Sequence, residues 1–195
     1  MKDQTVVKKI LFIAICMSLS ASLQVFQELF IYWRSSFFEE FWRGWTAHWV
    51  HVGWIHYLLN MIAFACLPFI FSHAQNRYLV ALLLLLPPLV SLSFYYFYPN
   101  VEAYAGLSGI LHGLYIAVSI YFVQFNKERK FALLVIALAC AKIAWENVFG
   151  SLETSQLIGS PVLVEAHLLG SIWGAILALS YLCYRFLKQK SLFKV

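Results

Sequence analysis

Six apolar runs fill most of this 195-residue chain, and each is close to the roughly 20 residues a helix needs to cross a bilayer. They lie near 9–33, 51–72, 78–98, 106–125, 130–149 and 161–186. Backbone polar groups in lipid must be satisfied inside the segment, so apolar runs of this length form helices. The expectation is an all-α membrane protein, a six-transmembrane-helix bundle forming one domain over 1–195. Composition agrees: 62% of residues are hydrophobic and 12% charged, against about 25% charged in a soluble domain. No linker-like tract or internal repeat divides the chain. The first run follows Lys8 and Lys9, and Ser20-Ala21-Ser22 has the look of a cleavage site. Its apolar character resumes through Trp33, too far for a signal peptide, so it reads as a span.

Basic residues set the direction. With the N-terminus inside, eleven of the 14 Lys and Arg fall in inner segments; only Arg34 and Arg43 fall outside, and Lys142 lies within a span. That bias places both termini in the cytoplasm. It also accounts for the net charge of +5, so membrane lipids, and no nucleic acid, are the implied surroundings. Cys16, Cys66, Cys140 and Cys183 each lie in an apolar run with no CxxC pair. They read as packing residues, without a disulfide or zinc site. The outer segment 34–50 mixes aromatics with charges and suits the membrane interface. Segment 150–160 reads as a mobile connection, and His48 and His73 read as solvated or interfacial at the membrane edges.

Polar groups inside a membrane are costly and mark function by default. The second run carries His51, His56 and Asn60; the fourth opens Gly106-Leu107-Ser108-Gly109 and continues to His112 and Gly113. The fifth carries Lys142, Glu146 and Asn147, and the sixth opens Glu165-Ala166-His167. Runs two, four and six all enter from the outer side. At 1.5 Å per residue, Ser108 and His167 lie within ~10 Å of that surface. His51, His56 and Asn60 lie at similar or greater depth, so all of them share one end of the bundle.

Helical phase brings them closer. His56 and Asn60 are i, i+4 and share a face. His167, Gly170 and Gly174 share another, and the two glycines allow close approach of a second helix, with Gly109 and Gly113 as the matching surface. A serine hydroxyl needs a base to become a nucleophile, and histidine suits neutral pH. Ser108 and His167 make a candidate dyad, with no third acid evident, because Glu165 points away from His167. His112, one turn from Ser108, competes as the base. The Ser108 N–H, the His51 ring and the Asn60 amide are candidate oxyanion donors. Lys142 and Glu146, also i, i+4, form a candidate intramembrane ion pair.

These residues resemble the rhomboid family. Trp42-Arg43, His51, His56 and Asn60 are similar to its first-loop and second-helix pattern, Gly106-Leu107-Ser108-Gly109 to its GxSG motif, and Ala166-His167-xx-Gly170-xxx-Gly174 to its last-helix motif. The resemblance implies a rhomboid-like bundle and an intramembrane serine endopeptidase. It implies Ser108 as nucleophile, His167 as base, Asn60 and His51 as oxyanion donors, and His56 as a supporting residue. It implies no metal and no organic cofactor. His112 stands where commoner rhomboids carry an aromatic residue. Together with Lys142-xx-Trp145-Glu146 and Val164-Glu165-Ala166-His167 it is similar to the rhombosortase branch. That branch implies substrates with a C-terminal Gly-Gly motif, a transmembrane helix and a basic tail. It also implies the inner membrane of a bacterial cell, with the active site open to the periplasm. Two alternatives stand beside this reading: a catalytically inactive rhomboid-like binding protein, and a membrane redox protein with haem held by histidines.

Overall fold

The computed structural model describes residues 2–150 and 154–192 and is helical nearly throughout. Its long helices are α1 (Lys2–Val25), α3 (Trp54–Ile70), α4 (Asn76–Phe97), α5 (Ser108–Phe122), α6 (Arg129–Phe149) and α8 (Val164–Leu192). Two short ones, α2 (Arg43–Thr46) and α7 (Thr154–Ile158), lie between them. Among the described residues, four helices are long and apolar enough to cross a membrane: Val6–Val25, Asn76–Phe97, Arg129–Phe149 and Val164–Lys190. Trp54–Ile70 and Ser108–Phe122 are shorter apolar helices.

The first run does not remain helical to residue 33. After Val25 the chain turns through a 3₁₀ segment, Gln27–Leu29. It then forms β1 (Tyr32–Trp33), antiparallel to β2 (Ala103–Tyr104). Tyr32 is buried there against Phe37 and Phe94, whereas Phe26, Leu29 and Trp33 stay exposed. Of the connection expected over 150–160, residues 151–153 lie outside the described residues, and Thr154–Ile158 is the helix α7.

α5 is central: ten of its fifteen residues are buried. It packs parallel to α8 through glycines. A β-carbon on Gly109 would lie 2.7 Å from the Ala166 carbonyl oxygen, and one on Gly113 equally close to that of Gly170. Side chains there would force the helices apart, so small residues set this contact. α6 is the opposite case and buries only Ala132 and Glu146.

Polar side chains tie the helix ends. Lys9 is buried and donates to the Pro68 and Ala74 carbonyls at the C-terminal end of α3. Carbonyls there lack intrahelical donors and attract a cation. At the other end of α1, the Gln24 amide donates to the His51 carbonyl and accepts from the His51 N–H, both at 2.7 Å. α1 and α3 are therefore antiparallel, and the N-terminal ends of α3, α5 and α8 share one end of the bundle.

The segment before α3 is built with comparable care. Arg43 is buried; it forms a two-pronged pair with Glu40 and donates to the Glu28 and Ile31 carbonyls. That guanidinium holds the Glu40 carboxyl below the usual carboxylate range. Pro88 has no N–H to offer the Leu84 carbonyl four residues back, and the Trp45 indole N–H donates to it at 2.9 Å. His48, expected in solvent or at the interface, is instead fully buried, with Nε2 3.0 Å from Ser91 Oγ. His73 is exposed and lies 3.3 Å from Glu128.

Candidate active site

Local backbone geometry starts the site. Gly106 has φ of +146°, a region L side chains rarely enter, and a β-carbon there would meet the His56 ring at 2.8 Å. Both facts call for glycine. The Gly106 N–H donates to the Ala47 carbonyl, and the Tyr104 hydroxyl donates to the Gly106 carbonyl. The turn is thus held on two sides, and it delivers Ser108 as the first residue of α5. A backbone N–H at that position has no intrahelical acceptor.

His167 lies in the first turn of α8, next to Ala166, which touches Gly109. The glycine contact brings the two helix starts together, and His167 Nε2 sits 2.9 Å from Ser108 Oγ. His167 Nδ1 lies 2.7 Å from Glu146 Oε2, and Glu146 Oε1 accepts from Lys142 Nζ at 2.6 Å. Sequence reasoning had no third acid here. The missed residue is Glu146; its signal was a carboxylate at the outer end of the fifth apolar run, which also pairs with Lys142. Glu165 takes no part in these contacts.

His112 stacks on His167 with ring centroids 4.1 Å apart and planes 19° apart. Its Nδ1 is 2.7 Å from the Ser108 carbonyl oxygen, which only a protonated Nδ1 can satisfy as a donor. His112 is thereby committed to the backbone, and the ring nitrogen at the serine hydroxyl belongs to His167.

The histidines of the second run exchange the places expected for them. His51 was expected beside the serine as an oxyanion donor. It lies ahead of α3 with its backbone fixed by Gln24, and its ring is turned inward, edge-on to His56 and Tyr57. It is fully buried, neither ring nitrogen has a hydrogen-bond partner, and it lines neither cavity at Ser108. His56, in the first turn of α3, lines both cavities with Ser108. Asn60 follows one turn later; its amide donates to the His56 carbonyl and keeps a second N–H for the cavity.

The larger cavity measures about 510 Å³ and runs between α3, α5 and α6. Ser108, His167, Asn60 and Lys142 stand at its polar end, and Leu59, Leu111, Val135 and Leu138 form apolar walls. The second, about 370 Å³, reaches Ser108 from the side of Trp33, Val52, Tyr104 and Pro161. Ser108 and His56 belong to both, so an extended chain laid across the serine would have space on either side.

One group among the described residues has ligand atoms within metal-binding reach: His112, Glu146 and His167, within 4.8 Å of one another. The Lys142 ammonium already supplies the cation for that carboxylate, and His112 Nδ1 is spent on the backbone. This donor set suits an ammonium better than a metal ion.

Residues 39–184 match the family model of the Rhomboid domain. The chain matches no curated protein.

Proposed function

The chain belongs to the rhomboid family, whose members are generally intramembrane serine proteases, and from that premise we propose that it cleaves membrane-anchored proteins with Ser108 as nucleophile and His167 as base. One observation carries the reading: His167 Nε2 lies 2.9 Å from Ser108 Oγ, at the polar end of an apolar cavity. That is the distance at which a general base works.

The chemistry follows from the geometry. Ser108 Oγ attacks the scissile carbonyl as its proton passes to His167 Nε2. The oxygen that gains charge is met by the Ser108 N–H, the His56 ring N–H and the free Asn60 amide N–H. Each such donor is worth on the order of 10²–10³ in rate. The imidazolium then protonates the leaving amine, leaving an ester on Ser108. Water attacks that ester with His167 again taking the proton, and Ser108 is restored. The site needs water, and its place at the N-terminal ends of α3, α5 and α8 suits supply from outside the bilayer.

We extend the proposal to topology and substrate. Six helices cross the inner membrane of a bacterial cell, both termini face the cytoplasm, and the site opens to the periplasm. The distribution of Lys and Arg supports that orientation. His112, Lys142, Trp145 and Glu146 support the rhombosortase branch. The substrates are then surface or secreted proteins carrying a C-terminal Gly-Gly motif, a transmembrane helix and a basic tail. Cells with wild-type enzyme should release such proteins without the tail, and cells with Ser108→Ala should retain them uncut. Normal processing by Ser108→Ala would refute the protease reading. Processing of other membrane proteins but not of these would refute the branch alone.

A further inference from the structure

Glu146 is the one buried acidic side chain among the described residues. A carboxylate in such a place is costly unless each oxygen is paired. Oε1 is satisfied by Lys142, which would be enough to neutralise both charges. Neutralisation leaves the second oxygen unexplained. Oε2 is turned across to another helix and meets His167 Nδ1 at 2.7 Å. On an α6 that otherwise buries only Ala132, this is the buried side chain turned toward the site.

We propose that Glu146 is a positioning residue for the reaction: its carboxylate holds His167 in the tautomer that leaves Nε2 free to accept the Ser108 proton, and Lys142 keeps that carboxylate ionised. The inference rests on the reading of Ser108 and His167 as nucleophile and base.

The need for such a residue is visible in the contacts. Lys142 Nζ is also 3.4 Å from His167 Nδ1. An ammonium has donors only. If it donated to Nδ1, the ring proton would sit on Nε2 and the serine hydroxyl would lose its acceptor. Glu146, closer to Nδ1, takes the Nδ1–H as an acceptor and prevents this. When the serine proton arrives on Nε2, the same carboxylate faces the imidazolium and stabilises it. The other ionisable groups around His167 are His112 from α5, His56 from α3 across the cavity, and Glu165 two residues away on α8. None of the three is hydrogen-bonded to Nδ1.

The test is the pH profile of labelling by a fluorophosphonate, which reports the reactivity of Ser108 without a natural substrate. The full chain in detergent micelles is used, and the second-order rate constant is measured. Wild type should lose rate along an acid limb of the profile. An adjacent carboxylate raises a histidine pKa and an adjacent ammonium lowers it. Glu146→Gln should therefore label on the order of 10²-fold more slowly or worse, with its acid limb at lower pH. Glu146→Asp should recover part of both. A purely structural role would slow labelling in Glu146→Gln and leave the limb where it is, and that result overturns the proposal. If Glu146→Gln does not fold, the wild-type tautomer decides: a His167 ring carrying its single proton on Nε2 in a histidine nitrogen NMR spectrum overturns the proposal equally. Ser108→Ala separates the two levels. Persistent labelling there refutes Ser108 as nucleophile, whereas its loss together with a wild-type profile in Glu146→Gln refutes only the role of Glu146.

Discussion

Gly170 and Gly109 sit so close that a β-carbon on Gly170 would overlap the Gly109 carbonyl oxygen. The same contact seats α8 on α5 one turn from His167, so the packing contact and the proposed Ser108–His167 dyad share one surface. Gly170→Ala should destabilise the bundle by about 1–3 kcal/mol, the usual cost of overpacking. It should also slow fluorophosphonate labelling by moving His167 away from Ser108. Gly53→Ala is the control. Gly53 has extended backbone, and a β-carbon on it would meet only open space, so the unfolding midpoint of this variant should stay at the wild-type value.

The proposed base is His167, the histidine at the serine hydroxyl. His167→Ala should lower the labelling rate by about 10²–10⁴-fold, the contribution of a positioned general base. His112→Ala removes a stacked ring and a backbone hydrogen bond but leaves His167 on Ser108; its rate should stay within about tenfold. The reverse order of effects would assign the base to His112.

Cavity position distinguishes the two histidines of the second run. His56→Ala should reduce turnover of a peptide substrate by on the order of 10²-fold, with the protein folded. His51→Ala removes a ring packed behind His56 and Tyr57, so it should lower thermal stability and leave the turnover of the folded fraction near wild type. Turnover and unfolding midpoint, measured together on both variants, check this.

Arg43 bonds three separate groups that one ammonium would not span. Arg43→Lys should leave the Glu28 or Ile31 carbonyl unpaired at a cost of about 1–3 kcal/mol, read as faster proteolysis within 34–50. The Glu40 carboxyl is held below the usual carboxylate range by Arg43. A depressed carboxylate stabilises above its unfolded pKa and loses that effect as pH falls through the folded one. Protease resistance of the wild-type segment should therefore hold at neutral pH and decline only in acid. In Arg43→Lys the carboxyl is less depressed, so the acid-dependent part of the resistance should be smaller.

The helices and their order are legible in the sequence because apolar length is a one-dimensional quantity, and the structure has a helix in each of the six runs. Depth is legible for the same reason: counting from the run starts puts Ser108, His56, Asn60 and His167 at one end, and the structure gathers them at the N-terminal ends of α3, α5 and α8. The glycine spacing on runs four and six points to a close seam, and Gly109, Gly113, Gly170 and Gly174 meet there. Lateral neighbours are another matter. His51 and His56 differ little in depth, and only the turn at Gly53, with the grip of Gln24 on the His51 backbone, sends one ring into the core and the other to the cavity. Lys142 and Glu146 read as a self-contained pair along one helix. That Glu146 reaches across to His167 depends on how α6 is rotated against α8, and on the direction of a side chain in three dimensions. Periodicity reports which residues share a face, and packing between helices decides which face meets which.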